Sequence, residues 1–195
     1  MADESVAQSD DVVSNDDETL ILVDAEDREI GSMTKARCHQ GDGTLHRAFS
    51  LFVFNRAGEL LVQQRSAGKK LWPLHWSNSC CSHPRHGETT DEAIHRRLAE
   101  ELGIRSELHF LYKFQYQARY QNVGSENEVC SVYLGVSDDE VRPNSHEIAA
   151  WRWIAAEDLE KEMRSDTDSF TPWFTMEWER VRPRYRDLLG FEPAT

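Results

Sequence analysis

Residues Ser82 to Ile104 read SHPRHGETTDEAIHRRLAEELGI. Thr89 or Thr90 can cap a helix start, Ile94, Leu98 and Leu102 recur at four-residue intervals, and Gly103 can supply the stop, so the spacing predicts a helix over 89–103 with one apolar stripe. Arg97 and Glu101 are also four apart and share a stripe beside the apolar one. That arrangement suits an ordinary ion pair on a solvated face as well as a binding edge, so the flanking sequence has to decide.

Upstream, TLILVD at Thr19 to Asp24 reads as a strand ending in a turn at Asp27-Arg28, and HRAFSLFVFN at His46 to Asn55 as a stronger one. The Arg56-Ala57-Gly58 turn joins the latter to ELLVQQR, which predicts a hairpin. A loop with two Trp and a Pro precedes the helix. Downstream, strands are expected over about 108–118 and 128–136, then helices over 156–163 and 173–189. The order implies one mixed α/β (α+β) domain over 19–195, with a central helix between strands. Residues 1–18 carry seven acids and no Lys or Arg, and read as a disordered acidic tail.

The chain has 195 residues, 39% apolar, enough for one sizeable core. Its net charge of -13 opposes nonspecific binding to nucleic acid or anionic membranes. No long uncharged apolar run and no basic-then-apolar leader is present, so a soluble, cytoplasmic protein is expected. Arg outnumbers Lys seventeen to five among abundant acids, a composition that would also suit salt tolerance.

Four cysteines, Cys38, Cys80, Cys81 and Cys130, are too sparse and irregular for a disulfide framework. Cys80 and Cys81 lie just before His83, which leaves metal binding or chemistry. His39 and His46 flank a Gly-Asp-Gly turn, and a lone histidine is more often packed than ligating. With Glu126-Asn127-Glu128 the case changes, because one intervening residue on a strand points both carboxylates to the same face, where they repel unless a cation or proton separates them. Three histidines with two glutamates would suit Mn²⁺ or Zn²⁺ better than Mg²⁺.

The Ser82–Ile104 stretch resembles the Nudix box: Glu88, Arg96, Glu100, Glu101, Gly103 and Ile104 are in register, while Ser82 replaces the opening Gly and Arg97 the first Glu of the Arg-Glu pair. LHRAFS, KKLWPLHWSNSCCSHP, FQYQA, ENEVC and TPW appear in the order of the type I isopentenyl-diphosphate isomerases, and the similarity covers about 20–189. The resemblance implies a Nudix-type mixed sheet sandwiched between helices, and an isomerase acting on a small isoprenoid diphosphate; with the charge already opposing a nucleic-acid or membrane partner, a monomer is expected. By position, Cys81 and Glu128 would be catalytic, Tyr116 would support proton transfer, and Trp173 would face the hydrocarbon end. His39, His46, His83, Glu126 and Glu128 would hold a metal. Glu101 would ligate Mg²⁺ on the diphosphate, and Lys35, Arg65, Lys69 and Arg97 would contact its oxygens, with Cys80 and Lys70 as neighbours of matched residues.

Two other readings compete. A Nudix diphosphohydrolase would use Glu88, Glu100 and Glu101 to activate water, but it leaves Cys81, the His/Glu set and Trp173 without a shared purpose. A zinc-stabilised interaction module built on Cys80, Cys81, His83 and His39 would need ligand geometry that adjacent cysteines rarely give.

Overall fold

The computed structural model describes residues 11–191. Strands β1 (Thr19–Val23) and β2 (Glu29–Thr34) lead into a one-turn helix α1 (Lys35–Cys38), then β3 (His46–Phe54), β4 (Leu60–Arg65), and the short β5 (Trp76–Ser77) and β6 (Cys80–Ser82). Helix α2 (Thr90–Leu102) follows, then β7 (Leu108–Tyr120), β8 (Gly124–Val136), β9 (Ile148–Ile154), α3 (Ala156–Ser165), α4 (Pro172–Val181) and α5 (Tyr185–Leu189).

All strands belong to one mixed sheet, with β3 in contact with β1, β4, β6 and β8. Its pairing with β8 is parallel from His46↔Glu128 to Phe54↔Val136, whereas β7 and β8 form a long antiparallel pair. Side chains alternate along β3. Phe49, Leu51 and Val53 join Ile94, Leu98 and Leu102 of α2 in one core, and Ala48, Phe52 and Phe54 join Trp173, Phe174 and Trp178 of α4 in the other. The sheet thus has a helix layer on each side.

The expected central helix is present. Thr89 caps it and forms a capping box with Glu92, and Gly103 ends it at φ 67°, a conformation costly for residues with a Cβ. The expected C-terminal helix is two: Pro183 lacks an N–H and cannot continue α4, so the chain restarts at α5. Strands β2, β5, β6 and β9 are additions to the sequence reading. β5 and β6 are too short to show a period, and β9, IAAWRWI, alternates poorly because both its faces are partly covered.

Part of the acidic N-terminal segment, 1–10, lies outside the described residues. From 11 on the chain is tied down: Asn144 Nδ2 donates to the Asp11 carbonyl at 2.9 Å, Arg97 Nη1 to the Val13 carbonyl at 2.6 Å, and the Lys35 amide to the Glu18 carbonyl at 2.8 Å. Composition marks such a stretch as solvated because it cannot register basic and amide donors waiting on the domain surface.

Candidate active site

Strand register assembles the site. His46 lies beside Glu128 across the parallel β3/β8 pair, and Tyr116 lies beside Glu128 across the antiparallel β7/β8 pair, so the three form a row across three strands. Residues 126 and 128 share one face, as expected from the single residue between them. Both glutamates are buried, and the Tyr116 hydroxyl donates to Glu128 Oε2 at 2.6 Å.

His39 arrives from the end of α1 by a close backbone approach. A Cβ on Gly124 would sit 2.3 Å from the His39 carbonyl oxygen, and the Ser125 amide donates to that same oxygen at 3.0 Å. Only glycine fits there. His83 follows β6. Ligand atoms of His39, His46, His83 and Glu126 all lie within 4.8 Å of one another. His83 Nε2 is 2.9 Å from Glu128 Oε1, and His46 Nε2 is 3.7 Å from it.

The donor set fits a transition-metal ion. His46 Nδ1 donates to the Thr44 carbonyl at 2.7 Å, which leaves Nε2 as its inward nitrogen. Glu126 Oε2 is buried with no hydrogen-bond partner, its nearest histidine nitrogen being 3.1 Å away. Burial, helped by His46 and His39, drives the His83 pKa well below its usual range, so that ring is neutral and has a nitrogen lone pair to offer. Burial would raise the Glu126 and Glu128 pKa values, yet His39 beside the first and His46 with Tyr116 beside the second outweigh it and keep both below the ordinary glutamate value.

A cavity of about 370 Å³ opens in front of this cluster, lined by Cys81, Tyr116, Glu126, Glu128 and Trp173 among others. Its size suits a small molecule. Strand alternation on β6 answers what the adjacent cysteines do. Cys81 faces the cavity, whereas Cys80 is fully buried in the α2 core, where its thiol donates to Glu101 Oε1 at 3.3 Å. Burial pushes the Cys81 pKa up to about 12 despite the nearby Arg65, so it is a neutral thiol at physiological pH. All four cysteines are free. Trp173, 3% exposed, is fixed by its indole N–H donating to Ser77 Oγ at 3.2 Å.

Part of the lining is cationic, with Lys35, Arg65, Lys69 and Lys70, and the Arg65 guanidinium reaches to 5.3 Å from the Trp173 ring centre. Arg65 is held by the Leu71 and Trp72 carbonyls at 3.0 and 3.1 Å, and its Nη1 lies 3.9 Å from Cys81 Sγ. Trp72 adopts φ 48°, an unfavourable backbone for a bulky residue that turns its carbonyl onto Arg65. Burial, with Lys69 and Arg97 nearby, lowers the Lys35 pKa to about 8. Ser14 accepts a hydrogen bond from Lys35, and Asp16 pairs with Lys70, so the N-terminal segment forms one wall of this part of the cavity.

Arg97 and Glu101 do not line the cavity. Each is 2% exposed, and Arg97 Nη2 donates to Glu101 Oε1 at 2.6 Å. The expected i,i+4 pair exists, but it is buried rather than solvated.

Two acids went unnoticed in the sequence. Glu147, just before β9, pairs with Lys69 and with Arg97. Glu177, on α4 one turn after Trp173, is fully buried, accepts from Cys130 Sγ at 3.5 Å and has no partner for Oε2. The four-residue spacing from Trp173 was the available signal for it. Burial pushes its pKa up to about 8. An unfolded chain releases this proton near the ordinary glutamate value of 4.5 while the native state keeps it until about 8, so this residue makes stability fall as pH rises across that window. Glu177→Gln should remove that slope and raise stability at pH 8, by about 1–3 kcal/mol relative to pH 4. Urea unfolding at both pH values checks this, and a variant with an unchanged slope would overturn it.

The NUDIX domain family model matches residues 44–174. Solved structures share the architecture: DR0079 from Deinococcus radiodurans superposes with a TM-score of 0.62 at 23% identity, covering 76% of this chain and 90% of that one. The MutT protein from Methanosarcina mazei Go1 gives 0.61 at 17% identity, covering 73% and 96%. These place the chain in the NUDIX class. Curated relatives are nearer: "Isopentenyl-diphosphate Delta-isomerase 1" of Photorhabdus laumondii subsp. laumondii is 41% identical over 174 residues, 88% of this chain and 99% of the relative. The isopentenyl-diphosphate Delta-isomerase of Burkholderia multivorans is 45% identical over 165 residues, 85% and 93%. The chain belongs to the isopentenyl-diphosphate Delta-isomerase family. The resemblance seen in its motifs, including the Nudix fold as a single domain, is therefore borne out. Among the described residues no helix is long and apolar enough to cross a membrane.

Proposed function

We propose that this protein interconverts isopentenyl diphosphate and dimethylallyl diphosphate, a step of isoprenoid biosynthesis, by adding a proton to one alkene carbon and removing another from its neighbour. One observation carries the reading: Cys81 and the Tyr116-bonded Glu128 line a single cavity that also holds a group of cations, Lys35, Arg65, Lys69 and Lys70, and the indole of Trp173.

The chemistry makes these groups useful. An unactivated alkene is a poor base, so the acid has to be held against it in a site that excludes water. Cys81 and Glu128, which line the same cavity, divide the two proton transfers between them, and Tyr116 orients Glu128 and can pass its proton. The tertiary carbocation between the transfers offers no hydrogen-bonding handle. The indole face of Trp173 stabilises it through its quadrupole, by roughly 2 kcal/mol when desolvated, without offering a nucleophile.

His39, His46, His83, Glu126 and Glu128 would hold Mn²⁺ or Zn²⁺, whereas Glu101 would reach the Mg²⁺ that accompanies the diphosphate only by exchanging its buried contacts with Arg97 and Cys80 for the ion. Such an ion would supply charge that fixes the Glu128 carboxylate and lowers its proton affinity. Lys35, Arg65 and Lys69, which line the cavity, anchor the diphosphate by charge-assisted hydrogen bonds, while the buried Arg97, expected among them, stands behind Lys69 and shares Glu147 with it. The replacement of a box glutamate by Arg97, itself engaged with Glu101, argues against a water-activating hydrolase. We further infer a cytoplasmic monomer, a reading consistent with a small anionic substrate.

Proton NMR of isopentenyl diphosphate in D₂O with the protein and Mg²⁺ tests the proposal. The expected result is the allylic isomer with deuterium incorporated. Release of inorganic phosphate without isomer would overturn it.

A further inference from the structure

Beneath the cationic part of the cavity lies a buried charge network that the isomerisation chemistry leaves unexplained. Glu147 is 4% exposed, and its Oε2 pairs with Lys69 Nζ and lies 3.2 Å from Arg97 Nη2. That same Arg97 nitrogen donates to Glu101 Oε1 at 2.6 Å. Glu101 is completed by the Cys80 thiol at 3.3 Å and, at 3.5 Å, by Gln63 Nε2. The backbone of Glu147 is rigidly set: its carbonyl accepts from the Ser66 amide at 2.9 Å, and its own amide donates to the Asn144 carbonyl at 3.0 Å.

Lys69 and Arg97 are therefore not idle cations awaiting an anion. Each is already neutralised by a buried carboxylate. A diphosphate in the cavity that recruits Lys69 must share it with Glu147 or take it and leave that acid to Arg97, and in either case its charge comes close to an acid that cannot reach water. Buried like charges without compensation are strongly unfavourable. A divalent cation entering with the diphosphate supplies the missing positive charge, and the penalty disappears.

We propose that Glu147 makes this site selective for magnesium diphosphate over the metal-free diphosphate anion. It acts as a specificity-determining counter-ion, through its contacts with Lys69 and Arg97. This inference rests on the diphosphate anchoring proposed above. Coupling of this kind is a difference in binding free energy and is readable without catalysis.

The test is calorimetric titration of the full-length chain with inorganic diphosphate, with and without added Mg²⁺. Complexation of Mg²⁺ by diphosphate in solution is common to all variants, so comparing the Mg²⁺-to-metal-free affinity ratio between proteins isolates the site. Glu147→Gln should bind the free anion more tightly and shrink that ratio by about tenfold, within the usual range for coupled sites. Glu147→Asp, which keeps the charge, should retain most of it. Lys69→Met removes the cation that stands between Glu147 and the ligand and should enlarge the ratio, a shift of opposite sign that does not depend on Glu147→Gln folding well.

An unchanged ratio in Glu147→Gln, equal weakening of both forms, or a smaller ratio in Lys69→Met would overturn the inference while leaving the proposed function standing. A wild-type protein that binds diphosphate under neither condition would instead overturn the anchoring itself.

Discussion

Replacing Cys81 by alanine should lower isomerase turnover by on the order of 10³-fold or more while the protein stays folded. Cys81 is the only thiol that lines the cavity, and it is held as a neutral acid by burial. Alanine removes the transferable proton and leaves a small gap at the edge of an open cavity, where packing loss is modest. Cys80→Ala is the control. Its thiol lies on the opposite face of β6 and touches Glu101, so the expected change is within about tenfold in turnover, with any loss falling on Mg²⁺-dependent affinity. Turnover by NMR, alongside thermal unfolding of both variants, separates them. Equal tolerance at the two positions would remove Cys81 from the mechanism.

Glu128→Gln should be as severe, about 10³-fold in turnover, for a different reason. The substitution keeps the shape and can still accept from Tyr116, but it abolishes the carboxylate that takes up a proton and weakens its hold on a metal ion. Glu126→Gln offers the contrast, since that residue belongs to the ligand cluster without contacting Tyr116. Its defect should be partly rescued by excess Mn²⁺ or Zn²⁺, whereas that of Glu128→Gln should not. Metal content and activity measured on both variants at saturating metal decide the point: activity still lost with occupancy restored at 128, and activity regained with occupancy at 126. Rescue of both by metal would reduce Glu128 to a ligand.

The sequence was most legible where one residue's chemistry answers to its local neighbours. The α2 helix, with its Thr89 cap, its Ile94/Leu98/Leu102 stripe and its Gly103 stop, could be read from spacing because each signal acts within a few residues. The common face of Glu126 and Glu128 followed from strand period alone. What could not be read were contacts set by tertiary approach. Nothing in NSHEI marks Glu147 as the partner of Lys69 and Arg97, because the three come from separate segments. Gly124 looks like a turn residue until the His39 carbonyl is found against it. The burial of Arg97 and Glu101 is similar: helical spacing pairs them, but only the sheet decides that solvent is excluded.

The parallel pairing of β3 with β8 has a consequence for how the protein matures. His46 and Glu128 meet only when two strands far apart along the polymer zip together, a slow, non-local event in chain assembly. A partly synthesised or half-collapsed chain therefore cannot bring these side chains together, and any ion they take would enter after sheet closure, sealing a nearly finished product rather than seeding it.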